Sequence, residues 1–235
     1  MGHTKNFFER KNGWSRQKDE ILDRYLVPYI AKILGTNKPL VIIDCFAGKG
    51  KFDDGNKGSP IIIADLIRSF LESNGKDTNI RGLFIESTYA EELETNLRGY
   101  ENCEVLSGTF EENIDKILAL NSRCNLFLYV DPYGIKCLDF QQFERIKARN
   151  FSSLEMLLNF NSFGFLREGC RVLNLNYKGL FSDDQSDEEY ELDEANTKER
   201  MNNIAHGDYW QSIIHDKKNN IIDMLKAEEL FINEY

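Results

Sequence analysis

Between residues 17 and 34 the chain reads QKDEILDRYLVPYIAKIL, and Ile21, Leu22, Tyr25, Leu26, Tyr29, Ile30 and Ile33 recur at spacings of three and four. That period is the stripe of an amphipathic helix, with Pro28 a potential kink. GTNKP breaks the helix. LVIID, a short run of β-type residues ending in an acid, then reads as a buried parallel strand. The glycine-rich FAGKGKFDDGNKGSP follows, with Ser59 as N-cap and Pro60 at the first helical position of a helix reaching about residue 72. The alternation continues as strand RGLFIE, helix 89–97, strand CEVLSG, helix 110–120, strand NLFLYVDP, helix 140–147 and strand LEMLLNF. Strands alternating with helices predict an α/β domain whose sheet is mainly parallel and doubly wound.

After Phe160 the rhythm stops. FNSFGFLREG reads as a loop or helix start, residues 183–197 as an acidic solvated insert, and residues 209–235 as one or two polar helices. The expected organisation is an N-terminal arm and amphipathic helix over 1–36, a Rossmann-like core over 37–165, and the acidic insert with C-terminal helices over 166–235.

With 41% hydrophobic and 12% aromatic residues in 235, one sizeable core is affordable and a second complete domain is not required. The longest apolar stretches, 39–43 and 124–130, fall short of the ~20 residues that cross a bilayer, and the polar N-terminus is not signal-like. A cytoplasmic protein without membrane attachment is expected. Cys45, Cys103, Cys124, Cys137 and Cys170 are widely spaced and form no CxxC or Cys/His cluster, so neither a disulfide framework nor a metal site is expected.

The net charge of −10 looks unfavourable for nucleic acid, but its distribution alters that inference. Residues 183–194 hold eight acids and no base, leaving the body nearly neutral. The N-terminal arm carries Arg10, Lys11, Arg16 and Lys18 among Phe7, Phe8 and Trp14. It reads either as a grip for nucleic acid or as a charged, solvated helix entry.

In an open parallel sheet, ligands bind beyond the carboxyl ends of the strands, so the residues that follow each strand carry the chemistry. After the first strand come Asp44, Phe46, Ala47, Gly48, Lys49 and Gly50, whose alternate glycines let a ligand approach the backbone closely. The third glycine of the dinucleotide fingerprint is missing at its usual spacing, which disfavours a dehydrogenase. The second strand ends in Glu86, a carboxylate suited to ribose hydroxyls. The third ends near Thr109 and Phe110, a modest adenine contact. The fourth ends in Asp131-Pro132-Tyr133-Gly134: Asp131 and the Pro132 carbonyl are suited to orient an amine, and Tyr133 to stack on a planar base. Lys18 is a candidate partner for a cofactor carboxylate, or simply an exposed helix charge.

The ordered set Lys18, Ile21, Tyr25, Leu26; IDCFAGKG over 43–50; GSP over 58–60; FIE over 84–86; VDPYG over 130–134; and LNF over 158–160 resembles the three-Cys-motif partner family of class I methyltransferase-like proteins, across roughly residues 15–165. The resemblance implies an S-adenosylmethionine fold with the 46–50 loop at the methionine end of the cofactor and Glu86 at its ribose. It also implies a partner protein carrying a three-cysteine motif. The chain departs from the pattern in two places: Thr109 stands where the fold commonly has an acid, and D-P-Y-G lacks the second proline of the amine-methyltransferase tetrad. The family's final antiparallel strand pair is expected to be missing, leaving an open sheet edge. The resulting expectation is an S-adenosylmethionine-dependent methyltransferase acting on an amine of a nucleic-acid base, or else an inactive module that binds the cofactor or a partner.

Overall fold

Five strands form one sheet in the computed structural model, which describes residues 8–75, 78–135, 138, 140–176, 180–181 and 196–235. They are β1 (Leu40–Asp44), β2 (Ile80–Glu86), β3 (Cys103–Ser107), β4 (Asn125–Val130) and β5 (Ser153–Leu158), in the order β3-β2-β1-β4-β5. Every neighbouring pair is parallel. The α/β class and five-strand alternation expected from the sequence therefore hold, in a Rossmann-like order. The order reverses at β1, where Leu40 is paired with Ile80 on one side and Asn125 on the other. All residues of β1 and β4 are buried, which is why both read as unbroken apolar runs.

Helix α1 (Gly13–Leu34) lays Leu22, Leu26 and Ile30, each fully buried, on one face of the sheet. Each such leucine or isoleucine contributes about 1.5–3 kcal/mol by leaving water. The helix begins ahead of residue 17 because Asn12 caps it, its Oδ1 accepting from the Ser15 amide at 2.7 Å. Pro28 lies inside it. Helices α2 (Ser59–Asn74) and α3 (Ala90–Asn96) join the same face through Ile63, Ile67, Leu71 and Leu93. Val41, Ile43, Leu83, Ile85, Leu126 and Leu128 alternate with the residues of that face and are buried on the opposite one, where α4 (Phe110–Leu118) packs against β2. Ser59 is not the cap of α2. Gly58, extended at φ −94°, takes that place and Ser59 opens the helix, while the Gly58 amide donates to the Gly50 carbonyl at 2.8 Å. The expanded loop between them is closed by a bridge between Lys51 and Lys57.

Chain contacts divide the molecule into two units: Met1–Asp131 with Arg145–Asn159, and Pro132–Glu144 with Phe160–Tyr235. Helix α5 (Phe140–Ala148) runs through one of the divisions. The second unit also contains α6 (Ser162–Val172), α7 (Lys198–Ala205), α8 (Tyr209–Lys218) and α9 (Met224–Glu234). Two helices over 209–235 match expectation; α7 was not anticipated. Nor are α8 and α9 merely polar, since Trp210, Ile214 and Phe231 are fully buried in a core of this unit's own. Phe165 meets Trp210 edge-on at 6.0 Å and Phe231 at 4.8 Å. Gly169 lets α6 and α8 approach so closely that a Cβ there would lie 2.7 Å from Ile214 and 2.9 Å from Trp210.

Most of the acidic insert, residues 183–195, lies outside the described residues. Among the described residues no strand follows β5, and Leu154 and Met156 on that edge strand are 38% and 42% exposed. No described helix is long and apolar enough to cross a membrane.

Candidate functional site at the carboxyl ends of the strands

Asp44 closes β1 on the face covered by α1 and is fully buried. One carboxylate oxygen accepts from the Phe46 amide at 3.3 Å; the other, Oδ2, has no hydrogen-bond partner. Burial raises its pKa to about 7, against the pull of the nearby Ser59 hydroxyl, which makes no hydrogen bond to Oδ2, and of the Phe46 amide; the neighbouring Asp131 and Asp19 charges raise it further. A buried acceptor without a partner costs about 1–3 kcal/mol, so a donor arriving from a ligand would recover that energy.

Asp131 follows β4, and the Lys18 ammonium reaches it from α1, 2.8 Å from Oδ1 and 2.7 Å from Oδ2. The two side chains are only 18% and 22% exposed. Burial still raises the Asp131 pKa, while Lys18 and the Tyr129 hydroxyl oppose it. Beside them, Asp19 pairs with Lys11, and its pKa too is raised, by burial first. Three carboxylates thus converge near two ammonium groups at the switch point of the sheet.

Beyond Asp44 the chain turns through Gly48 and Gly50, whose φ angles of 63° and 81° favour glycine. A Cβ on Gly50 would lie 3.0 Å from Leu93, and one on Gly48 would lie 3.2 Å from the ring of Phe8. Under the turn, Glu86 accepts three amide hydrogen bonds: from Gly48 at 2.7 Å to Oε2, and from Thr88 at 2.7 Å and Tyr89 at 3.0 Å to Oε1. Since a carboxylate has about four lone-pair sites, roughly one is left for a ribose hydroxyl.

The structure brings Lys18, Asp44, Ala47, Gly48, Gly50, Glu86 and Asp131 to one end of the sheet. Thr109 and Phe110 have other work. Thr109 caps α4 in a capping box, its hydroxyl accepting from the Glu112 amide at 3.2 Å while Glu112 accepts from the Thr109 amide at 2.8 Å. Phe110 is buried against Phe46, ring centres 5.9 Å apart. Pro132 and Tyr133 fall in the second unit, and Tyr133 is 75% exposed.

Three contributors escaped the sequence reading: Phe8, Lys11 as a structural group, and Asp19. Lys11 was assigned to a basic arm, yet it is 8% exposed, pairs with Asp19 and donates to the Lys57 carbonyl at 2.5 Å. Lys18 is likewise paired, so of the four cations Arg10, Lys11, Arg16 and Lys18 the first and third are exposed. Asp19, adjacent to Lys18 and one turn before Asp23, carried no signal beyond its place near the start of α1. Among the described residues no group of three or more His, Cys, Asp or Glu is placed to hold a metal ion. Cys45, Cys103, Cys124 and Cys170 are free thiols, and Cys137 lies outside the described residues. The chain matches no protein-family model, no curated protein and no solved structure.

Proposed function

We propose that the chain binds S-adenosylmethionine at the carboxyl ends of β1 and β2 and serves as a methyltransferase, in a cytoplasmic setting, with an amine of a nucleic-acid base as the acceptor. The observation that carries this reading is Asp44: a fully buried acid at the switch point, one oxygen without a partner, directly before a glycine turn. An amino-acid ammonium suits that oxygen, the Gly48–Gly50 backbone allows close approach, and the remaining lone pair of Glu86 suits one ribose hydroxyl. When bound, the cofactor would supply an electrophilic methyl group.

The chain's own residues would position the acceptor. Asp131 would accept a hydrogen bond from the amine and orient its lone pair, and Lys18 would keep the carboxylate ionised against its burial. For Asp131 to turn to an amine, the Lys18 pair has to loosen. Exposed Arg10 and Arg16 offer phosphate contacts.

The same ion pair favours a second reading, an inactive cofactor-binding module that serves a partner such as a three-cysteine-motif protein, because Lys18 already engages both oxygens of Asp131. Calorimetric titration with S-adenosylmethionine, S-adenosylhomocysteine and NAD tests the shared part: the first two are expected to bind and NAD not. Binding of none, or of NAD alone, would sink both readings. Methyl transfer to oligonucleotides that is abolished in Asp131→Ala, with cofactor binding retained, separates the enzyme from the module.

A further inference from the structure

The aromatic arm ahead of α1 lies on the glycine turn itself. Phe8 ring carbons stand 3.2 and 3.3 Å from the point a Cβ on Gly48 would occupy, so the ring is in van der Waals contact with the turn and leaves no layer between them. The ring also meets Tyr89 edge-on, with centres 5.0 Å apart, and Phe52 at 5.7 Å. Tyr89 is one of the residues whose amides hold Glu86, so Phe8 sits over the corner assigned to the ribose.

Lys49, between the two glycines, clasps the arm. Its Nζ lies 4.8 Å from the Phe8 ring centre and 5.9 Å from that of Tyr89 while pairing with Asp53 at 2.7 Å. The arm's backbone is tied to the same loop: the Phe8 carbonyl accepts from the Asp53 amide at 2.8 Å, and the Lys11 amide donates to Asp54 at 3.1 Å. Lys11 Nζ fastens the other end to the Lys57 carbonyl and to Asp19. The arm thus lies across the loop that would have to meet a ligand, tied to it through Asp53, Asp54 and Lys57.

We propose that Phe8–Lys11 is an autoinhibitory strap: the Phe8 ring occupies the ligand's place on the Gly48 turn and is displaced when a nucleoside-bearing ligand seats there. The proposal rests on the cofactor reading above and adds its regulation. It also accounts for glycine at position 48 twice over, by the positive φ and by the ring that packs where a side chain would start. Because the arm and the ligand compete for one surface, the apparent affinity is lowered by the fraction of molecules in which the arm is closed.

The test uses the full chain with S-adenosylmethionine and S-adenosylhomocysteine as probes. Phe8→Ala is expected to bind about tenfold tighter than the parent and to associate faster, with Phe8→Leu in between. Saturating S-adenosylhomocysteine is expected to speed tryptic cleavage after Arg10 and Lys11, followed by mass spectrometry. The strap is overturned if the ligand protects those bonds, which would make the arm a clamp, or if Phe8→Ala lowers the melting temperature while affinity and association rate stay unchanged. If the parent chain binds neither probe, the cofactor reading itself falls, and the strap falls with it.

Discussion

Two strand-end carboxylates, Glu86 after β2 and Asp44 after β1, both sit on the helix-covered face beside the same glycine turn, yet their surroundings are opposite. Glu86 takes amide hydrogen bonds from Gly48, Thr88 and Tyr89 and ties the 46–48 and 87–89 loops together. Asp44 takes one long bond from Phe46 and keeps an oxygen with no partner. A satisfied buried carboxylate organises backbone; an unsatisfied one stores energy that a donor can release. Substitutions at the two positions should therefore differ in sign for the free protein.

The largest effect is expected from Glu86→Ala. Three amides would lose a charged acceptor at a position only 9% exposed, for a loss of about 3–5 kcal/mol once water restores part of the bonding. Urea denaturation of parent and variant measures it. A loss below about 1 kcal/mol would mean that Glu86 does not organise these loops and would return it to a purely ligand-facing role.

Asp44→Asn is expected to act in the opposite direction. The folded pKa of Asp44, about 7, lies above its ordinary value of 3.8, so the folded state holds the proton more tightly than the unfolded one. Its contribution is fully present below about pH 4 and is lost as pH rises through 7, by at most about 4 kcal/mol. The variant should flatten the stability profile between pH 4 and 7 and exceed the parent by about 2–3 kcal/mol at pH 8, while binding S-adenosylmethionine more weakly. Thermal melts across that range, paired with titrations, check both halves. Equal stability at pH 8 would show that the carboxylate already has a partner.

Lys18→Met sharpens the contrast at β4. Without the ammonium, Asp131 becomes a mostly buried charge with less to oppose its desolvation, so its pKa moves further up. A loss of about 1–3 kcal/mol is expected at pH 8, shrinking as the pH falls and the carboxyl takes up a proton. A loss that does not vary with pH would mean that Lys18 acts through the packing of its methylenes instead.

Much of this geometry was legible in the chain. Parallel strands buried on both faces read as continuous apolar runs, and LVIID and NLFLYV carried that signature. The switch-point rule then directed attention to Asp44, Gly48, Glu86 and Asp131, which the fold gathers at one end of the sheet. The state of each carboxylate was not legible, because it depends on loops that fold back from elsewhere: the Glu86 bond to Gly48 spans 38 residues and the Lys18–Asp131 pair spans 113. No periodicity marks such contacts. The arm was misjudged for the same reason, since Lys11 looks like a free cation until the Lys57 carbonyl and Asp19 are seen around it. The helical unit hid its core in Trp210, Ile213, Ile214 and Phe231, too sparse among polar neighbours to read as a buried face.

Thr109 offers the smallest and most discriminating effect, because its role could have been read from sequence spacing. Thr109-x-x-Glu112 is the signature of a capping box, and the structure forms both of its bonds. Thr109→Ala removes the hydroxyl acceptor of the Glu112 amide and should cost about 1 kcal/mol, measured by thermal or urea denaturation. If Thr109 serves only the helix, calorimetric titration of the variant with S-adenosylmethionine should give the parent's affinity. A severalfold loss of affinity at unchanged stability would restore it as a ligand contact and extend the site from the ends of β1 and β2 to that of β3.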